Sequence, residues 1–224
     1  MERGIEEILA YLNGFAGKSI EELFSYVNLA TKAKNRNRML AEKLLEAYLG
    51  HGFSVSNAPW QLKTIRLDKN NRPKESCAFP TFRCADIANN DFAHSEIRKT
   101  LDGDFLFFAT KDSGREVFVG AFIYRLPKAY LDGEVKEVYE KTRKVIRSGD
   151  VVKCRKDNRL ILNFPRESEQ RIAHVRPHGR NQFDVDHLPV RDIKTGITDI
   201  PKHCFWLNKG FIEEIAKANL NLEA

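Results

Sequence analysis

The stretch Asn57-Ala58-Pro59-Trp60-Gln61-Leu62-Lys63-Thr64-Ile65 decides how the rest of the chain is read. From Trp60 to Leu67 apolar and β-branched side chains run almost without a break, the pattern of a buried strand. A helical stretch, Arg36 to Gly50, precedes it. Met39, Leu40, Leu44, Leu45 and Tyr48 share one side of that helix, and Gly50 closes it. Two polar residues, Gln61 and Lys63, stand two apart in the strand and therefore on one face. Between Glu46 and Asp68 there is no acidic residue at all.

That absence carries chemical information. A strand with an Asp and then a Glu-x-Lys is a recurrent way to hold Mg²⁺ for phosphodiester hydrolysis. The carboxylates grip the metal, and the Lys steadies the attacking water or the developing phosphorane charge. Lys63 fills the Lys position here, but Gln61 stands where the Glu belongs. The stretch reads as a nuclease frame that keeps its DNA-facing groups and has lost its metal.

A length of 224 residues suits one domain with an ample core, read here as a single domain over residues 1–224 with two sub-lobes. Hydrophobic residues at 42% and charged residues at 30% fit a globular protein and argue against a disordered chain. Lys and Arg number 37 against 31 acids, a net charge of +6 that is compatible with nucleic acid without requiring it. Cys77, Cys84, Cys154 and Cys204 match no usual zinc spacing, so buried free thiols in a reducing cytoplasm are expected. Met1 runs straight into an amphipathic helix, so no signal peptide is expected. No apolar run approaches the roughly 20 residues that span a bilayer, so no membrane partner is expected.

Taken in order, Gly4 to Phe15 reads as a helix. Ser19-Ile20-Glu21-Glu22 fits a capping box that opens a short helix to Tyr26. Lys32 to Arg38 fits either a solvated loop or a phosphate-contacting linker. Glu46, off the apolar stripe of its helix, is either an ordinary helical Glu or the remnant of an acidic cluster facing Gln61. Asp68 to Pro73 is a turn rich in hairpin formers, with Cys77 to Arg83 as the returning strand. Asp86 to Leu101 should hold loops and a short helix; His94, Arg98 and Lys99 there are candidate DNA-binding groups. Asp104 to Thr110 and Glu116 to Leu126 read as paired strands with a phenylalanine-rich core, and Gly133 to Arg147 as an amphipathic helix. Leu160 to Phe164 and Arg171 to Arg176 read as further strands. Cys204 to Leu207 reads as a short buried strand before a last helix capped by Asn208.

Arg176-Pro177-His178-Gly179-Arg180-Asn181-Gln182 has no apolar period and reads as a loop. It gathers two guanidinium forks, an imidazole, two amides and a flexible Gly. Arg forks match the guanine edge in the major groove, and Asn or Gln matches adenine.

These motifs together resemble a known family. Glu42 to Gly50 is similar to the helix before the catalytic strand of the mismatch-repair nicking endonuclease MutH. Gln61-Leu62-Lys63-Thr64-Ile65, followed by Asp68 and Asn71-Arg72-Pro73, resembles that strand and its turn, where the family has Glu-Leu-Lys-Thr. His174-Val175-Arg176-Pro177-His178 resembles the entrance of the recognition loop. Phe205-Trp206-Leu207-Asn208-Lys209 resembles the late aromatic and basic segment near the bound adenine. Order and spacing match best the carboxy-terminal half of Sau3AI-type restriction endonucleases.

The resemblance implies an α/β fold of the MutH and restriction-endonuclease kind, a mixed sheet flanked by helices with two lobes around a DNA cleft. It implies double-stranded DNA containing GATC as target, a bacterial cytoplasmic setting, and a catalytic amino-terminal half, which takes Mg²⁺, as partner. It also implies that this half binds a second site and activates the first. The family's first Asp falls on Ser54 and its Glu on Gln61, leaving a degenerate site of Glu46, Ser54, Gln61 and Lys63. One carboxylate, one amide and one hydroxyl make a poor shell for Mg²⁺, so no cofactor is expected for this domain and Lys63 becomes a phosphate-binding cation. The expected DNA-binding set is Lys63, His94, Arg98, Lys99, Arg176 to Gln182, Trp206 and Lys209. Of Phe205 and Trp206 one is expected to pack in the core, and the resemblance implies that the other, at the position of Trp206, faces the DNA and senses the adenine methyl group. Two other functions remain: an active endonuclease using Glu46 with a displaced acid such as Asp68 or Asp86, and a scaffold for protein partners.

Overall fold

The computed structural model describes residues 4–156, 159–181 and 183–222. The chain opens with helices α1 (Ile5–Asn13), α2 (Ile20–Tyr26) and α3 (Arg36–Leu49), then strands β1 (Trp60–Leu67) and β2 (Cys77–Thr81). Helices α4 (Cys84–Asn89) and α5 (Glu96–Leu101) precede strands β3 (Asp104–Asp112) and β4 (Glu116–Arg125). A one-turn helix α6 (Lys128–Tyr130) and a π-helical turn, Leu131–Val135, lead into α7 (Lys136–Ser148). Strands β5 (Val152–Lys156), β6 (Arg159–Leu162), β7 (Ala173–Pro177), β8 (Val185–His187), β9 (Asp199–Pro201) and β10 (His203–Leu207) follow, and α8 (Lys209–Asn219) ends the chain. Among the described residues no helix is long and apolar enough to cross a membrane.

The chain divides into two compact units. One comprises Met1–Glu75, Gly103–Arg125 and Ile212–Ala224; the other comprises Ser76–Asp102 and Leu126–Phe211. The first is built on a sheet in the order β1-β3-β4, with β1 parallel to β3 and β3 antiparallel to β4. Trp60 and Leu62 of β1, with Leu106, Phe108 and Phe118, meet the apolar sides of α1, α2 and α3 in one buried cluster. The capping box of α2 forms as its residues foretell: Ser19 Oγ accepts from Glu22 N and Glu22 Oε2 accepts from Ser19 N. Asn13 stands in for a strand neighbour at the free edge of β4. Its amide nitrogen donates to Ala121 O at 3.0 Å and its carbonyl accepts from Ala121 N at 2.6 Å.

The start of α3 is tied down by a buried acid. Glu116, 7% exposed, accepts from Arg36 Nη2 at 2.6 Å, Asn37 Nδ2 at 2.7 Å and Thr110 Oγ1 at 2.8 Å. Asp112 pairs with Arg66 and Lys74, each at 2.6 Å. Arg36, from the basic stretch Lys32 to Arg38, is therefore held within this unit by Glu116, while Lys32 and Lys34 flank it at the surface.

In the second unit β10 is the central strand of β2-β10-β7 and runs antiparallel to both neighbours. On one face Phe205 lies near-parallel to Tyr139 of α7, ring centres 6.2 Å apart, and meets Phe82 at 5.3 Å. Gly149 ends α7 in the left-handed conformation (φ 68°), as helix C-termini favour. Asp192, 1% exposed, accepts from the main-chain nitrogens of Val151, Val152 and Thr195 and from Thr195 Oγ1, closing the loop before β9.

Three expectations are corrected. Cys77–Thr81 does not return beside β1. It pairs with β10 in the other unit, because the turn at Asp68 is closed by its own hydrogen bonds and by a single bridge from Leu67 to Pro73. Asn208 does not cap α8 with its side chain, which is turned to His174 and Gln170; Glu167 instead accepts from Lys209 N. Cys77, Cys84 and Cys204 are buried and free, but Cys154 lies exposed on a two-stranded ribbon.

Candidate nucleic-acid interface

The degenerate strand site comes first. Trp60 and Leu62 turn to the helix-covered face, so Gln61 and Lys63 stand on the opposite one, half-buried and paired in register with Phe105 and Phe107. Glu46 is engaged by Lys43 at 2.7 Å and by His51 at 3.7 Å, and the Lys43 hydrogen bond holds its pKa below the usual value. Ser54 Oγ shares a 2.7 Å hydrogen bond with Ser56 Oγ and accepts from Ser56 N within its own turn. Of the displaced acids, Asp68 accepts from the main chain of Asn70 and Arg72, and Asp86 belongs to the other unit. The donor set is thus an amide, a hydroxyl bonded to its own turn and a carboxylate held by Lys43, which does not fit a hard divalent ion. Among the described residues no group of three or more His, Cys, Asp or Glu is placed to hold a metal.

The second constellation lies on β7, β10 and the loop after β7. Arg176 and Pro177, expected in the loop, are the last residues of β7, paired with Cys204 and His203. Strand pleating places Arg176 on the same face as Trp206, whose cross-strand partner is His174. The Arg176 guanidinium lies 4.1 Å from the centre of the Trp206 ring. His178 meets the same indole edge-on, ring centres 5.0 Å apart and planes at 88°. Arg176 is exposed, and among the described residues no carboxylate pairs with it. Trp206 is 8% exposed.

Beneath this stack two polar atoms lack partners among the described residues: Trp206 Nε1 and His174 Nε2. The tautomer of His174 follows from its neighbours. Asn208 Nδ2 donates to Gln170 O at 2.6 Å, so Asn208 Oδ1 accepts, and His174 Nδ1, 2.6 Å away, carries the proton. Burial, assisted by the nearby Arg176 charge, lowers the His174 pKa and keeps the ring neutral. Nε2 is then a bare acceptor on a ring whose centre lies 6.3 Å from that of the Trp206 indole, which carries the bare N–H donor.

The loop itself is closed by Asp184. Its carboxylate accepts from Arg180 N at 2.9 Å and pairs with Lys202 Nζ at 2.7 Å. These partners, the Arg180 amide foremost, bring its pKa down to about 2. Lys202 N donates to Asp184 O, and His178 N donates to Lys202 O, which seals the base of the loop. Gly179 is required by the closure, since a Cβ there would come within 2.9 Å of Asp184 O. Arg180 and Asn181 are left exposed; Gln182 lies outside the described residues. Lys209, exposed at the start of α8, follows two residues after Leu207 on the same strand-to-helix joint.

His94, Arg98 and Lys99 sit elsewhere in the unit, each beside an acid. His94 pairs with Asp91 at 2.7 Å and Lys99 with Glu96 at 2.6 Å. Arg98, 18% exposed, pairs with Asp102 and Asp132 and lies over the Phe92 ring. His94 also lines a cavity of about 560 Å³ floored by Phe79, Tyr139 and Phe205. Sequence reasoning missed Asp184, Lys202 and Asn208. The one available signal was Asp184 four residues after Arg180, a spacing that loops use to bond their own backbone.

Comparison with known proteins adds one finding. The chain is 26% identical over 253 aligned residues to the type II restriction enzyme Sau3AI of Staphylococcus aureus, covering 95% of this chain and 51% of that protein. It therefore spans about half the length of the curated relative it matches, and the similarity is consistent with a Sau3AI carboxy-terminal-like domain. No family profile matches the chain. A mixed α/β architecture of several small sheets and helices is compatible with a restriction-endonuclease-like fold.

Proposed function

We propose that this chain is a sequence-specific, double-stranded DNA-binding domain for GATC that does not cleave. In this reading it acts as an allosteric effector beside the catalytic amino-terminal half of a bacterial, cytoplasmic type II restriction endonuclease. The observation that carries the reading is the exposed Arg176 fork, without a carboxylate partner among the described residues, its central carbon 4.1 Å over the Trp206 ring at the mouth of a closed loop. Contact with the indole restrains the Arg176 side chain before the ligand arrives, so less rotamer freedom remains to be lost on binding. A fork restrained in that way can meet guanine O6 and N7 together.

The other groups follow from it. Arg180 and Asn181 offer a cation and an amide to phosphate or base edge, and His178 and Lys209 add donors at the rim. Trp206 remains the candidate sensor of the adenine methyl group. Its buried N–H and the bare Nε2 of His174 give that site one donor and one acceptor. Lys63, on a strand without carboxylates, serves as a phosphate-binding cation. Cleavage is assigned to the Mg²⁺-dependent partner half, because Ser54, Gln61 and the engaged Glu46 supply no metal shell here.

The test is a gel shift paired with a cleavage assay on duplexes carrying one site, two sites or a scrambled sequence, at about 0.15 M salt. Nanomolar-range binding to GATC that weakens steeply with salt, without Mg²⁺-dependent cutting, is the expected result. Equal affinity for the scrambled duplex sinks the recognition assignment, and specific cutting by the chain alone sinks the effector assignment.

A further inference from the structure

We propose that Phe183 is an apolar wedge that enters the base stack of the bound duplex beside the groups that read it. The inference rests on the DNA-binding reading above and adds to it a residue and a deformation. At 81% exposure Phe183 is the most exposed large apolar side chain among the described residues. A ring left in water at the tip of a loop calls for a reason, since burying it would be favourable.

The loop holds that ring outward by bonds on both sides. Asn181 Oδ1 accepts from Phe183 N at 2.9 Å, and Asp184 N donates to Asn181 O at 3.2 Å. Phe183 O accepts from Val185 N at 3.0 Å. The next residue, Asp184, is fastened through its carboxylate to Arg180 N and Lys202 Nζ and through its carbonyl to Lys202 N. A Cβ at Gly179 would come within 2.9 Å of Asp184 O and 3.2 Å of Asn181 O, so the backbone on either side of the ring is closely packed. Phe183 is thus displayed by a closed, hydrogen-bonded turn.

Charge selects the occupant. Arg180 is exposed on the same loop, and Arg176 is exposed at the end of β7, from which the loop departs. An exposed apolar ring on a segment that also carries exposed guanidinium groups suits a polyanion with apolar faces stacked inside it, which describes a nucleic acid duplex. Side chains such as Phe that insert between base steps unstack them and kink the helix by about 20–90°, most readily at pyrimidine–purine steps.

The experiment compares the unaltered chain with Phe183→Ala and Phe183→Trp on one GATC duplex. End-to-end energy transfer reads the bend, and 2-aminopurine placed at successive positions reads unstacking. The unaltered chain and Phe183→Trp should bend the duplex and brighten the probe at one step. Phe183→Ala should lose both signals and bind about tenfold more weakly while still preferring GATC to scrambled DNA. Because the residue is solvent-facing, thermal unfolding of the three proteins should coincide. If the unaltered chain binds GATC but leaves it straight and stacked, or if Phe183→Ala bends it equally, the wedge is wrong and the DNA reading survives. Loss of binding to anionic vesicles by Phe183→Ala, with DNA binding and bending unchanged, likewise overturns the wedge. Failure of the unaltered chain to bind any duplex removes both.

Discussion

Arg176 and Trp206, thirty residues apart in sequence, meet with the guanidinium carbon 4.1 Å above the indole centre. They meet because β7 and β10 are antiparallel neighbours and the two side chains share one face of the sheet. Arg176→Ala should weaken GATC binding by about 1–3 kcal/mol and relax preference at one base pair. Arg176→Lys should recover only part of the loss, since an ammonium lacks the planar fork that both stacks and pairs. Competition gel shifts over a set of single-base variants measure both effects; unchanged affinity in Arg176→Ala favours the scaffold role.

Restoring one acid should not restore a nuclease. Gln61→Glu returns the strand to Glu-x-Lys. Glu46 stays with Lys43 and His51, however, and Ser54 stays bonded within its own turn. Mn²⁺ titration by calorimetry should show no tight site in this variant, and GATC plasmid should remain uncut.

Glu116→Ala should destabilise the β1-β3-β4 unit by about 3 kcal/mol, since it strands Arg36, Asn37 and Thr110 around a buried vacancy. Burial raises the pKa of Glu116, but hydrogen bonds from Asn37, Thr110 and Arg36 outweigh it, and the net shift is downward. The folded state then binds its proton less readily than the unfolded chain. The stabilisation is present above the ordinary Glu pKa and is lost as pH falls through the lower folded value. Denaturant titrations from pH 5 to 3 should show a decline that is shallower in Glu116→Ala, the other carboxylates with lowered pKa values keeping their share.

His203 gives a second, separable pH effect. Burial brings its pKa down to about 4 from the ordinary 6.5, despite the hydrogen bond between its Nδ1 and Pro201 O. The folded state favours the neutral ring, so stability is full above pH 6.5 and declines as pH drops towards 4. The total change is about 3–4 kcal/mol, at about 1.4 kcal/mol per pH unit between the two values. Replacing His203 by Phe should remove that slope while leaving the lower-pH slope of Glu116 in place.

Elements whose residues specify their own partners were legible in the sequence. The apolar run of β1 and the phenylalanines of β3 and β4 stand at the expected places, because period and burial are local properties. The Ser19–Glu22 box is local too. The destination of β2 was not legible. The Asp68 turn satisfies its own backbone, so nothing in those residues says that Cys77–Thr81 pairs with a strand more than 120 positions later. Strands β8 and β9 were missed because three residues of mixed exposure show no period. At the candidate interface, the composition of Arg176 to Gln182 pointed to the loop. Its closure by Asp184 and Lys202 depends on a contact across 18 residues that no spacing rule reports.

The polypeptide passes from one unit to the other at four junctions, after Glu75, Asp102, Arg125 and Phe211. No single cut in the gene can therefore liberate either unit whole. Removing a tail through α8 takes Ile212 onward from the first unit, and trimming back to the β4 junction deletes most of the second. Insertions, tags and split-protein fusions belong at the surface tips between strands, and dissection of this chain must proceed by point replacement rather than by fragments.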